Sequence, residues 1–246
     1  MPYGIGSETT GCTPAPSGLF GLPLGEERAA RQLARCYKAL VEARSGVRPF
    51  WTHPTRQALD ATGAWLEQMG GGDFRGGLTV TGPCGGGKTT LIQAVAMLLE
   101  GHAAHFAAWR ETDAFGRPLP RPLSRRVVYK SARDLYNDPR FNPDDSEWVY
   151  NSAYAECRDA GLCVLDDVGQ EVTAFKRWGN EYKLVARVIL ERYDLGRPLV
   201  LSSNLSVAQL GDKYGEFVGD RIHEMCRFVR IEQSSFRRAT EEEEEP

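Results

Sequence analysis

Short apolar runs alternate with amphipathic stretches along most of this chain. Five runs have strand length: Gly77–Thr81, Arg126–Lys130, Gly161–Leu165, Pro198–Ser202 and Phe228–Ile231. The stretches between and before them repeat their apolar positions at helical spacing. Thr90–Glu100 reads as a helix, and Asn180–Leu195 carries Tyr182, Leu184, Val185, Val188, Ile189 and Tyr193 at that period. Upstream, Glu26–Arg44 gathers Ala30, Leu33, Ala34, Tyr37, Leu40 and Val41 on one face. A second helix starts from Thr52 as N-cap with Pro54 in its first turn. It carries Leu59, Thr62, Trp65, Leu66 and Met69 and stops at Gly70–Gly72. Strands alternating with helices predict an α/β fold, a mostly parallel sheet wrapped on both faces.

The first strand and the helix after it enclose Gly82, Pro83, Cys84, Gly85, Gly86, Gly87, Lys88 and Thr89, followed by Thr90. This is a complete G-x-x-x-x-G-K-[ST] phosphate loop in its strand–loop–helix setting. Glycines let the backbone curl until successive N–H groups point at one anion, and the helix N-terminus adds positive charge. Lys88 is placed to reach the β- and γ-phosphates and the Thr89 hydroxyl to hold Mg²⁺, so ATP with Mg²⁺ is the expected ligand. Hydrolysis also needs a metal-binding carboxylate and a group that orients water. Leu162–Asp167, an apolar strand ending in two acids, offers Asp166 for the metal and Asp167 for the water. Asn204, just beyond Pro198–Ser202, would emerge at the same sheet edge between these two strands. There it either holds water or the γ-phosphate, or merely caps a loop.

Composition sets the surroundings. A chain of 246 residues, 41% apolar, can bury a proper core as one large domain or two small ones. The net charge of −3 is outweighed by the five acids of Glu241–Glu245, so the body is slightly basic, which neither demands nor excludes nucleic acid. Cys12, Cys36, Cys84, Cys157, Cys163 and Cys226 contain no C-x-x-C pair, as suits a reducing cytoplasm. No apolar run reaches a membrane span and no signal peptide is visible, so a cytoplasmic protein without membrane contact is expected. His102 and His105 lack a third ligand. Leu19–Leu24 is either a packed arm or a docking peptide. The basic face of Glu26–Arg44 and the Arg/Pro-rich Arg117–Arg126 are each either solvated or set against a partner or DNA.

Four or five motifs occur in a telling order. Asp166–Glu171 is followed by the strand ending Ser202-Ser203-Asn204, then by Tyr214–Ile222 and Ser235–Arg237. Over roughly 75–238 the chain resembles the AAA+ ATPases that load bacterial replicative helicases, and equally the relatives that assist insertion-sequence transposases. The resemblance implies a P-loop NTPase with a five-stranded AAA+ core, lacking a full helical lid. Asn204 then matches sensor 1, Arg221 the arginine finger reaching a neighbouring subunit's nucleotide, and Arg237 the second sensor. The chain departs from the loaders in having Phe217 where a second arginine is frequent, and Asp167 where glutamate is common. The implied organisation is an arm and helix over 1–50 for partner docking, an ATPase domain over 51–238 with an insert at about 102–125, and an acidic tail over 239–246. The implied function is an ATP-dependent DNA-remodelling factor of helicase-loader type. It self-assembles and grips DNA, single-stranded by preference, through Gly169–Lys183, where Lys176, Arg177 and Trp178 suit phosphate and base stacking or simply an exposed helix start. Its partner is a replicative helicase or, in the alternative, a transposase on duplex DNA. A nucleotide-gated adaptor with little turnover is the rival from another class, and a small-molecule kinase the most distant.

Overall fold

Seven strands follow one another among the described residues: β1 (Gly77–Thr81), β2 (Ser124–Ser131), β3 (Ala160–Val168), the short pair β4 (Phe175–Arg177) and β5 (Asn180–Tyr182), then β6 (Leu199–Ser203) and β7 (Cys226–Arg230). The computed structural model describes residues 29–46, 49, 51–68, 76–101, 124–142, 152–171, 175–177 and 180–232. Five strands make the main sheet in the order β2-β3-β6-β1-β7, and every pairing in it is parallel. The five predicted runs are these strands, with ends moved by a few residues. β4 and β5 form a separate antiparallel hairpin.

The helices are α1 (Ala29–Ser45), α2 (His53–Gln68), α3 (Lys88–Gly101), α4 (Asp134–Asn137), α5 (Ala153–Asp159), α6 (Leu184–Asp194), α7 (Val207–Tyr214) and α8 (Glu216–Met225). The expected helix over 180–195 is shorter than its apolar period suggested. Residues 180–182 pair in the hairpin, and the helix begins at Leu184, whose N–H donates to the Tyr136 hydroxyl at 2.9 Å. Backbone pairing with β4 outcompetes one more helical turn. Elsewhere the caps explain the starts. Ser206 and Gln209 form a reciprocal capping box at the head of α7, and Ser152 caps α5.

Both faces of the sheet are covered, which is why β3 and β6 are apolar without alternation. Leu162, Val164 and Val200 join α1, α2 and α3 in one core; Cys163, Leu165, Leu199 and Leu201 join α5, α6, α7 and α8 in the other. The helix α1 belongs to the first core through Ala29, Leu33 and Tyr37, and crosses α2 closely: a Cβ on Gly63 would lie 2.6 Å from Cβ of Ala30. The basic residues Arg31, Arg35 and Lys38 face outward. Leu19–Leu24, His102, His105, most of the Arg/Pro-rich stretch, Trp178, Arg237 and Glu241–Glu245 lie outside the described residues. No helix among the described residues is long and apolar enough to cross a membrane, and no cluster there could hold a metal through several His, Cys, Asp or Glu side chains.

Candidate functional site

The loop between β1 and α3 is shaped by its glycines. Gly82 has φ 151°, and a Cβ there would meet the Ile231 carbonyl at 2.3 Å. Gly85 and Gly87 also have positive φ, at 78° and 92°. Pro83 and Cys84 are exposed at the loop's rim, Gly86 is buried, and Thr89 and Thr90 open the helix half-buried. Lys88 is buried, and its Nζ donates to the Pro83 carbonyl at 2.8 Å. Burial pushes the Lys88 pKa down, while the nearby Asp167 and Asp166 carboxylates push it back up. A desolvated ammonium at such a place can hold an anion through charge-assisted hydrogen bonds.

β6 lies between β1 and β3, so the loop and the two aspartates emerge one strand apart at the carboxyl edge of the sheet. The Thr89 hydroxyl donates to Asp166 Oδ1 at 3.2 Å, bridging 77 positions of sequence. The same oxygen accepts from the Asp167 N–H at 3.0 Å and from the Ser202 hydroxyl. Its other oxygen, Oδ2, accepts from the Tyr129 hydroxyl at 2.5 Å. The β3–β6 register shifts between Leu165 and Val168, a bulge that turns both acids toward the edge. Asp167 has φ 55°, the left-handed conformation that aspartate tolerates better than most residues. Its N–H is fixed by the Ser202 hydroxyl at 3.0 Å. Such local backbone cost is characteristic of working positions.

Asn204 follows β6 and so stands between the loop and the aspartates, as expected. Its Oδ1 is buried with no hydrogen-bond partner among the described residues. Arg221, on α8, is partly exposed. Its guanidinium lies 4.4 Å from the Phe217 ring and 4.5 Å from the Tyr193 ring, and pairs with Glu224 at 2.9 Å. Thus Lys88, Thr89, Asp166, Asp167 and Asn204 share one edge, while Arg221 sits on a helix beside exposed Phe217.

Three groups carry the site without having been predicted. Tyr129 and Ser202 hold Asp166 from opposite sides. Glu171 is buried and locks the turn after the aspartates: it accepts from the Gly169 N–H at 2.9 Å and from the Tyr214 hydroxyl, while Lys213 donates to the Gly169 and Glu171 carbonyls at 2.7 and 2.9 Å. That ties the aspartate turn to the end of α7, one residue from α8 and its Arg221. Burial first, then Glu171, raises the Tyr214 phenol, which therefore stays a donor. The available signal was the acid two residues after Gly169, whose carboxylate can turn back on that N–H.

No protein-family model matches the chain, and no curated protein does. Among solved structures, the DnaC helicase loader is 20% identical over 76% of this chain and 95% of its own, with TM-score 0.50. This chain shares the fold of the DnaC helicase loader. AMPPCP-bound DnaA from Aquifex aeolicus is 18% identical over 79% of this chain, with TM-score 0.49, and the match spans about half of that protein, 52%. DnaI is 17% identical over 65% of this chain and 71% of its own, with TM-score 0.41. The order β7-β1-β6-β3-β2 sets the phosphate-loop strand beside the strand that leads to Asn204, and that strand beside the aspartate strand.

Proposed function

We propose that the chain is an ATP-dependent AAA+ remodelling factor of helicase-loader type, acting on DNA in replication. It hydrolyses ATP with Mg²⁺ at a site that a second copy completes. One observation carries this reading: the Thr89 hydroxyl and the Asp166 carboxylate meet at 3.2 Å beside the phosphate loop. Two hard oxygen donors converging there suit Mg²⁺, which usually takes one or two protein oxygens and completes its shell with water and phosphate. When bound, that ion would neutralise charge on the β- and γ-phosphate oxygens.

The chain's own groups divide the remaining work. The amides after Gly82, with Lys88, hold the phosphates, and Thr89 and Asp166 hold the metal. The Asp167 carboxylate, half-exposed at the sheet edge, takes the proton side of the attacking water. It is one methylene shorter than glutamate, which calls for a close approach. Asn204 Oδ1, buried and without a partner among the described residues, accepts from the same water. Arg221 serves the nucleotide of the adjacent copy, and Arg237 the phosphate of its own. Residues 1–50 act in partner docking and 51–238 as the ATPase domain. The turn and hairpin at Gly169–Lys183 face single-stranded DNA, and the partner is a replicative helicase.

The test is turnover against protein concentration, with single-stranded and with duplex DNA. Turnover per chain should climb with concentration, and single strands should raise it most. Arg221→Ala should lower turnover by about 10³-fold or more, as finger arginines do elsewhere. Mixed one to one with Asp167→Asn, it should recover about a quarter of parental turnover, since random head-to-tail contacts pair the two intact halves that often. No recovery at any ratio rules out a shared site. Preference for duplex DNA favours transposase recruitment, and tight ATP binding with negligible turnover on any DNA favours an adaptor.

A further inference from the structure

Asp166 stands at the end of a chain of hydrogen bonds that runs from a different part of the fold. Arg44, in the last turn of α1, donates to Gln93 Oε1 on α3, and also to the Thr90 hydroxyl at 3.2 Å. Gln93 Nε2 donates to the Tyr129 hydroxyl oxygen on β2 at 2.8 Å, and Tyr129 donates to Asp166 Oδ2 on β3 at 2.5 Å. The direction of every link is forced. A guanidinium has donors only, so the amide of Gln93 must turn its oxygen toward Arg44 and its nitrogen toward Tyr129. With a donor already on its oxygen, Tyr129 has its own hydrogen left for the carboxylate, which has acceptors only. A charged donor at one end and a charged acceptor at the other make this a polarised relay, in which each bond strengthens the next.

We infer that Tyr129 is a positioning residue for the metal-holding carboxylate, and that Gln93 and Arg44 set the direction of its hydrogen bond. By engaging Oδ2, Tyr129 stops Asp166 from rotating and keeps Oδ1 on the side of Thr89, the other oxygen proposed for the metal. The ring is held in place: it packs against the core shared by α1, α2 and α3, and its backbone is registered against Val164 of β3. The relay also makes the end of α1 a mechanical neighbour of the metal site, so a partner that displaces Arg44 would loosen the carboxylate.

This inference rests on the metal-dependent nucleotide site proposed above, and the experiment separates the two. ATP binding to the full chain is titrated by calorimetry across Mg²⁺ concentrations and again in EDTA, for the parent, Tyr129→Phe and Gln93→Leu. Tyr129→Phe removes one oxygen and keeps the ring. It should raise the Mg²⁺ concentration needed for half-maximal tightening by about 10-fold, as loss of a ligand's supporting hydrogen bond does in other metal sites. Affinity in EDTA and the thermal midpoint should stay at parental values, and kcat should fall by about the same factor with KM for ATP little changed at saturating Mg²⁺. Gln93→Leu should shift the Mg²⁺ dependence in the same direction by a smaller factor. A Mg²⁺ dependence for Tyr129→Phe that overlays the parent's overturns the positioning role while leaving the site intact. A parent whose ATP binding ignores Mg²⁺ overturns both.

Discussion

Replacing Lys88 with alanine should weaken ATP binding by at least about 100-fold and leave the fold standing. The two halves of that expectation come from the same contacts. The ammonium is buried and, among the described residues, donates to one neutral acceptor, the Pro83 carbonyl. That carbonyl also accepts from the Gly86 N–H at 3.3 Å, so deleting the side chain does not strand it. Alanine suits the first turn of α3 at least as well as lysine. The chain therefore loses a desolvated charge without losing a structural tie, and its thermal midpoint should move by no more than a few degrees. Binding is another matter. A triphosphate would offer Lys88 charge-assisted hydrogen bonds of about 1.5–3 kcal/mol each, and every 1.4 kcal/mol is tenfold in affinity. Calorimetry with ATP in EDTA isolates this contribution from the metal's. Parental affinity in that titration would rule out the loop as the nucleotide site, and a collapsed midpoint would show that Lys88 serves the fold instead.

What the sequence revealed and what it hid divide along physical lines. The phosphate loop and the aspartate pair were readable because their chemistry is local. Gly82 and Gly87 need positive φ, and Asp166 and Asp167 end an apolar run that both core faces require. The place of β6 between β3 and β1 was readable through Asn204, whereas the outer places of β2 and β7 carry no local signature and came only from the fold. Tyr129 was hidden because nothing in a strand pattern separates a core aromatic from one whose hydroxyl reaches a carboxylate 37 positions away. Glu171 was read only as part of a motif, and its bonds to Gly169, and through Lys213 and Tyr214 to the end of α7, exist only in three dimensions. The start of α6 was misjudged because Tyr182 fits both periods: it continues the apolar stripe of the helix, yet packs with the second core from the end of a hairpin strand. Arg192 left a clue that periodicity alone could have caught. Val185, Ile189 and Arg192 fall at i, i+4 and i+7, so the arginine lies on the buried stripe.

That arginine yields the second large effect: Arg192→Met should destabilise the chain by about 4 kcal/mol. Its side chain is fully buried, and its guanidinium meets no carboxylate directly among the described residues. It donates instead to backbone carbonyls, those of Cys157 at 2.7 Å, Arg158 at 3.1 Å, Ala160 at 2.9 Å, Gly161 at 3.4 Å and Pro198 at 3.2 Å. Burial pushes its pKa down to about 10, which leaves it charged at neutral pH. The first two acceptors are the closing carbonyls of α5, which a helix cannot satisfy internally. The next two open β3, and Pro198 precedes β6. One planar fork therefore joins the end of a helix to the starts of two adjacent strands. A buried ion pair can be replaced without loss when both partners become apolar, but here the partners are main chain and cannot be mutated away. Methionine fills the volume and strands the carbonyls, each worth about 1–3 kcal/mol when buried unpaired, less whatever water recovers. Lysine offers a point charge where a fork is needed, so Arg192→Lys should cost roughly half as much. Urea unfolding measures both, and amide exchange should quicken first around Cys157–Gly161. Because this clamp lies at the far end of β3 from Asp166 and Asp167, whatever folded Arg192→Lys remains should bind Mg²⁺ and ATP with parental affinity. A folded variant with parental stability but weakened nucleotide binding would show that the fork acts on the site, not on the fold.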